Sequence, residues 1–326
     1  VVAPSGALKE LEAFEKGVEI WRSRGYRVEL GSNWNVQYGY LAGTDTQRRQ
    51  ALAQAWEDPN CKAILCARGG YGSARLLEDW SWGQGDSYQL PVTSYQLPVT
   101  SYQLPVPNPQ SPIPNPQSPI PNPQSPIPNP QSKWIIGFSD VTGLLWSLAN
   151  VGISGVHAPV LTTIASEPEW SIQRLFDCLE GRPLAPLTGK GWGGGITTGM
   201  LLPANLTVAT HLLGTFVQPS LNGVILALED VTEAPYRIDR LLTQWRMTGA
   251  FTGVRGIALG RFSRCTPPFG SNSWMVEEVL RDRLGDLGIP IVSDLPFGHD
   301  GVNAALPVGR MAQLDADKGT LAIFNS

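Results

Sequence analysis

The sequence predicts an α/β protein whose first half is a parallel, doubly wound sheet. Three observations carry this expectation. Compact apolar runs, of which residues 62–67 are the clearest, alternate with segments whose apolar residues follow helical spacing. Glycines follow such a run at Gly69 and Gly70, at the carboxyl end where open α/β sheets place their reactive groups. Residues 134–137 break at Phe138-Ser139-Asp140 and resume as a helix-like pattern through Asn150, the signature of a strand that turns sharply into a helix.

Taken in order, residues 1–3 read as the end of a first strand, closed by the turn Pro4-Ser5-Gly6. Leu8, Leu11, Phe14, Val18, Ile20 and Trp21 then follow helical spacing, and residues 26–30 alternate as a strand does. Thr44-Asp45-Thr46-Gln47 matches a capping box and opens a helix to about Glu57. After the strand at 62–67, Arg68-Gly69-Gly70-Tyr71-Gly72 can bring backbone N–H groups close to a ligand, or can serve only as a tight turn. It fits neither a dinucleotide fingerprint nor a Walker loop. Residues 87–132 are uncharged heptapeptide repeats with proline in every copy, which excludes a helix, a central strand or a coiled coil and predicts disorder or polyproline conformation. Residues 153–160 read as the next strand and hold His157. The α/β rhythm ends at 166–170 and glycines crowd 189–199, so a junction at 166–200 separates a domain at 1–165 from one at 201–326. The second half offers a helix at 205–213, an apolar strand at 223–228 finishing in Glu229-Asp230, and a helix at 236–248. Short strands are predicted at 254–259, 291–293 and 321–324, with a tight Gly-flanked loop at 296–301.

Bulk properties narrow the function classes. With 24 basic and 28 acidic residues among 326, a net charge of −4 and no long run of either sign, nucleic acid and membrane surfaces are not expected partners. No apolar stretch approaches the ~18 residues of a membrane span. The first residues lack the basic and long apolar regions of a signal peptide, and the four cysteines are scattered, so reduced thiols and a cytoplasmic location are expected.

Ser139, at the strand-to-helix turn, is the candidate nucleophile; equally, Ser139 or Asp140 can simply cap the helix. Gly137 supplies the first glycine of a G-x-S-x-G elbow, whereas Val141 stands where the second belongs. A serine nucleophile needs a base and an acid to orient it. Of the three histidines, His211 lies in an apolar helix, His157 in a predicted strand, and His299 in the Gly-flanked loop, the setting that best presents a base to a cleft. Glu229 ends an apolar strand and is expected to emerge at its edge, and Asp230 or Glu233 fits equally on spacing. No metal-ligand spacing occurs, and no cofactor is implied.

These residues together resemble the LD-carboxypeptidase family of serine peptidases, which includes microcin C immunity hydrolases. The likeness runs through Ala3-Pro4-Ser5-Gly6, residues 40–45 with Gln47-Arg48, Arg68-Gly69-Gly70-Tyr71-Gly72, and Gly137-Phe138-Ser139-Asp140-Val141-Thr142. It continues in Leu228-Glu229-Asp230, residues 235–240 and Pro296-Phe297-Gly298-His299. The resemblance implies a Rossmann-like first domain with the nucleophile Ser139, and a β-rich, barrel-like second domain with the base His299 and its orienting acid Glu229. It further implies an oxyanion hole from the backbone N–H groups of Gly70 and Asp140. The implied substrate is a murein tetrapeptide, from which the terminal D-Ala is released during wall recycling, and a homodimer is in keeping with the family. An aminoacyl-nucleotide amide is the alternative substrate; a non-catalytic binding module and a Pro-rich scaffold are the alternatives of another class. Two features depart from the family pattern: the repeat insert, and Pro203-Ala204-Asn205-Leu206 where a glycine-rich segment is expected.

Overall fold

A computed structural model describes residues 1–82 and 133–324, so the repeats at 87–132 lie outside the described residues. The described segments on either side of them, 1–80 and 133–324, pack as one unit. In chain order the first half contains α1 (Leu11–Ser23), α2 (Asp45–Glu57), β1 (Ala63–Leu65), α3 (Ser73–Leu77), β2 (Trp134–Gly137), a 3₁₀ turn at Ser139–Val141, α4 (Thr142–Asn150), β3 (Val156–His157), α5 (Leu161–Ile164) and α6 (Glu169–Leu179). The α2 capping box forms as predicted, with the Thr44 hydroxyl accepting from Gln47 N–H.

β1, β2 and β3 pair in parallel, in that order. Val2 adds a single parallel bridge to Cys66 beside β1, so the first predicted strand exists only as that bridge. Residues 26–30 form no strand. They run beside Val1, bonded through Val1 N–H to Glu29 O and Gly31 N–H to Val1 O; Tyr26 and Val28 pack on the first core while Leu30 is exposed, so the alternation is real but too short to extend the ladder. The α/β rhythm also continues past 170: α6 buries Ile172, Leu175 and Phe176 against Trp21 and Ile136. Phe14, Val18 and Trp21 of α1 complete this core, each worth on the order of 2 kcal/mol on burial.

The second half contains β4 (Leu187–Thr188), β5 (Lys190–Gly191), β6 (Ile196–Asn205), α7 (Leu206–Leu212), β7 (Val224–Val231), α8 (Pro235–Met247), β8 (Gly256–Ser263), α9 (Val276–Leu284), β9 (Ile291–Ser293), β10 (Leu306–Pro307), β11 (Met311–Asp315) and β12 (Thr320–Ile323). β10 leaves this half and pairs antiparallel with β3, completing the first sheet. The other strands form one sheet in the order β4-β12-β11-β6-β7-β8-β9-β5, in which β6 through β9 are parallel. Its two terminal strands are separated in sequence by Gly189 alone, so a single segment pairs with β12 on one side and β9 on the other. One segment therefore supplies both edge strands of this sheet. This explains the local glycines: a Cβ on Gly189 would lie 2.2 Å from Ser293 O, and one on Gly191 1.9 Å from Ala316 O.

Candidate active site

The parallel strands of both sheets end at the candidate residues: β1 before Gly69, β2 before Ser139, β6 at Asn205, and β7 just past Glu229. Ser139 adopts φ 61°, the left-handed conformation that a non-glycine residue takes only where its surroundings enforce it. Val141, fully buried, packs over Gly137, where a Cβ would meet it at 2.9 Å. The sharp turn therefore forms without the second glycine. Behind it α4 is buried on every face from Thr142 to Leu148, and its Trp146 donates to Pro203 O at 3.2 Å.

The Asp140 side chain is structural. Its Oδ2 accepts from Ser5 Oγ at 2.5 Å and from Ser73 N–H at 2.8 Å, tying the first turn and the start of α3 to the serine turn. These bonds bring the glycine loop against Ser139: a Cβ on Gly69 would lie 3.1 Å from its Oγ. Gly70 has φ 112°, and among the described residues neither its N–H nor that of Asp140 has an acceptor. Both N–H groups are thus without a hydrogen-bond partner among the described residues.

His299 Nδ1 lies 2.6 Å from Glu229 Oε2. Of the three acids open on spacing, only Glu229 meets an imidazole among the described residues. Glu233 pairs with Arg237, and Asp230 accepts from Thr207, Asn205 and Val231. The expectation that Glu229 emerges at an edge is corrected: β7 runs on to Val231, and Glu229 is fully buried. The pairing of β7 with β8 shifts register at this residue, so a β-bulge on β8 lies opposite it. That bulge receives the base loop, with Arg261 N–H donating to Phe297 O at 2.7 Å, and Gly260 leaves room where a Cβ would stand 2.4 Å from the same oxygen.

The His299 ring packs on Phe138, the residue preceding Ser139, with ring centroids 4.5 Å apart. Among the described residues no hydrogen bond within 3.5 Å joins Ser139 Oγ to the imidazole, a contact that often tightens only when substrate is bound. His157 is fully buried between Phe138 and Phe297, and burial pushes its imidazole down to about 4. His211 is exposed on α7.

Sequence reasoning missed Asn205. It caps α7, donates its backbone N–H to Thr142 Oγ1 at 3.0 Å, and donates through Nδ2 to Glu229 Oε1 at 3.3 Å and Asp230 Oδ1 at 3.1 Å. One residue thereby links α4, through its backbone, to Glu229, through its side chain. Asp230, buried beside Glu229, is pushed up to about 6, first by burial and then by its neighbour's charge. The only signal in the sequence was the departure at Pro203-Ala204-Asn205-Leu206. All four cysteines are free, and burial pushes Cys66, Cys178 and Cys265 up to about 12. Among the described residues no three His, Cys, Asp or Glu side chains cluster as a metal site, and no helix is long and apolar enough to cross a membrane.

Comparison with known proteins points one way. Residues 1–91 match the family model of the LD-carboxypeptidase N-terminal domain, and residues 198–314 that of the C-terminal domain. A Synechocystis sp. protein that carries a provisional carboxypeptidase name is 55% identical over 99% of this chain and 93% of its own length. The murein tetrapeptide carboxypeptidase of Pseudomonas aeruginosa is 28% identical over 98% of this chain and 93% of its own. Among solved structures, the muramoyltetrapeptide carboxypeptidase of Oxalobacter formigenes superposes with a TM-score of 0.75 at 24% identity, covering 99% of this chain and 97% of that one. The microcin C7 self-immunity protein MccF gives 0.76 at 20% identity, covering 100% and 95%.

Proposed function

Because the chain belongs to the LD-carboxypeptidase family of serine peptidases, we propose that it hydrolyses the amide between an L-configured centre and the terminal D-alanine of a murein tetrapeptide, a step of cell-wall recycling. The observation that carries this reading is the His299–Glu229 pair. It joins residues 70 positions apart at 2.6 Å and packs on the residue that precedes a serine in a strained turn.

In this reading Ser139 Oγ attacks the scissile carbonyl while its proton passes to His299 Nε2, and Glu229 holds the imidazole by Nδ1 and stabilises its charged form. The N–H groups of Gly70 and Asp140 stabilise the tetrahedral oxyanion, a contribution of roughly 3 kcal/mol per donor. Collapse breaks the C–N bond, His299 returns the proton to the departing D-alanine amine, and water releases the acyl group from Ser139 by the same route. Residues 1–165 then act as the nucleophile domain and 201–326 as the domain supplying acid and base, with 166–200 joining them and the substrate in the cleft between. A cytoplasmic enzyme belongs to the same reading.

Murein peptide is preferred over an aminoacyl-nucleotide because a murein tetrapeptide carboxypeptidase is the relative of higher identity, whereas the likeness to MccF is one of fold. Incubating purified protein with murein tetrapeptide tests the proposal: free D-alanine detected by mass is expected. Cleavage of an aminoacyl sulfamoyl nucleoside with no D-alanine release would transfer the assignment to the immunity-type reaction.

A further inference from the structure

The loop that carries His299 is held from two directions. Toward its own sheet it is bound to β8, by Leu295 N–H to Leu259 O at 3.1 Å and by Arg261 N–H to Phe297 O. These contacts fix the imidazole relative to Glu229 on the adjacent strand. Nothing in them fixes it relative to Ser139, which belongs to the other sheet. Besides the packing of the ring on Phe138, that link runs through a buried polar pair. Asn303, fully buried, accepts Gly298 N–H on Oδ1 at 3.1 Å, next to the base, while its own N–H donates to Glu167 Oε2 at 2.7 Å. Glu167 lies between α5 and α6 in the first half, is only 9% exposed, and also accepts from Ser171 Oγ at 2.8 Å. A carboxylate kept in so dry a place needs its hydrogen bonds, and the ones it makes fall on the base loop and on α6. Just beyond, Leu306 of β10 pairs with His157, which pairs with Gly137, two residues before the nucleophile.

We propose that Glu167, acting through Asn303, is a positioning residue that sets the distance of His299 from Ser139, while β8 separately sets its distance from Glu229. This rests on the serine-peptidase reading above and adds a residue that touches neither substrate nor the reacting atoms. The two roles are separable by experiment. Glu167→Gln keeps an acceptor at the same reach, Glu167→Asp keeps the charge but withdraws it by a methylene, and Asn303→Ala removes the link.

Steady-state release of D-alanine from murein tetrapeptide is measured with each variant. The downfield proton resonance of the His299–Glu229 hydrogen bond is followed in parallel by NMR. Misplacement on the ångström scale predicts that Glu167→Asp and Asn303→Ala lose about ten- to a hundredfold in kcat with KM nearly unchanged and the resonance intact, and that Glu167→Gln retains most of kcat. Wild-type kcat in Glu167→Asp, a Glu167→Gln variant no better than Glu167→Asp, or loss of the resonance together with kcat would each overturn the proposal. Ser139→Ala run alongside separates the two readings. If it stays active, the serine mechanism fails; if it is dead while Glu167→Asp is normal, only the positioning role fails.

Discussion

At the scale of single residues, Ser139 at φ 61° occupies a conformation that costs a non-glycine residue on the order of 1 to 3 kcal/mol, and the buried packing of Val141 and Phe138 holds it there. Such strain is retained where it exposes a reactive group. Ser139→Ala and His299→Ala are each expected to lower kcat/KM on murein tetrapeptide by several orders of magnitude with circular dichroism unchanged. The double variant should be little worse than either single one, because a triad acts as a unit. These residues were legible because strand ends and Gly-flanked loops are local patterns. Asn205, Glu167 and Asn303 were not: Asn205 meets Glu229 24 positions away, and Asn303 meets Glu167 136 positions away. His157 offers a different test. Its folded-state value of about 4 lies below the ordinary ~6.5, so as pH falls from 6.5 toward 4 the unfolded chain takes a proton that the folded chain refuses, and stability drops. Among the described residues neither ring nitrogen makes a hydrogen bond within 3.5 Å, although the Asn303 side chain acts on the ring, so His157→Leu should cost modest stability at pH 7 and should lose less of its Tm than wild type between pH 7 and pH 5. An unchanged pH slope in the variant would assign the acid sensitivity to other groups.

At the scale of elements, α2 was read correctly to the residue because its capping box is contiguous, whereas β6 was missed entirely. β6 carries Gly199 and Pro203, residues that argue against a central strand. The structure accommodates both. Gly199 is needed where a Cβ would lie 2.6 Å from Gly223 O, and Pro203 lies beyond Met200, where the pairing with β11 stops and its missing N–H leaves no ladder bond unmade. α2 also anchors its surroundings through charge. Asp45 is held down at about 2 by Arg75 of α3 and by Arg48, whose buried guanidinium donates to Pro4 O and to Gly72 O. The sign follows from a carboxyl whose folded value lies below its unfolded ~3.9: the stabilisation is present above pH 4 and is lost as pH falls toward 2. Thermal melts of Asp45→Asn should therefore start lower than wild type at pH 6 and converge with it near pH 2. Parallel curves across that range would mean that the pairing contributes nothing net. Gly69→Ala tests the approach of the glycine loop to Ser139. A methyl group 3.1 Å from Ser139 Oγ crowds the attacking atom, so turnover should fall at least tenfold while Tm moves little.

At the scale of the molecule, the first sheet is completed by β10 from the far end of the chain, so the described residues on both sides of the repeats contribute to one fold. That long-range pairing was not readable from a two-residue strand. Removal of residues 87–132 tests whether the repeats matter to it. The described chain stops at Trp82 and resumes at Lys133, whose ammonium is fixed to the carbonyls of Ala55, Trp56 and Asp58 at the end of α2. Lys133 thus enters β2 at its amino end, and the four residues of β2 at ~3.3 Å each place it more than about 13 Å from the serine turn at the other end. Joining Asp86 directly to Lys133 would shorten the connection from about 50 residues to about 4, which by the logarithmic closure term relieves on the order of 2 kcal/mol of unfavourable entropy. The deletion variant is accordingly expected to melt at or above the wild-type temperature and to keep kcat/KM within about twofold, since Lys133 sits at the end of β2 opposite Ser139. Four residues reach only about 14 Å fully extended, so a lowered Tm that recovers when a Gly/Ser spacer is inserted would report a linker drawn too tight. Loss of most kcat/KM at an unchanged Tm, not recovered by the spacer, would instead assign the repeats a part in turnover and revive the scaffold reading.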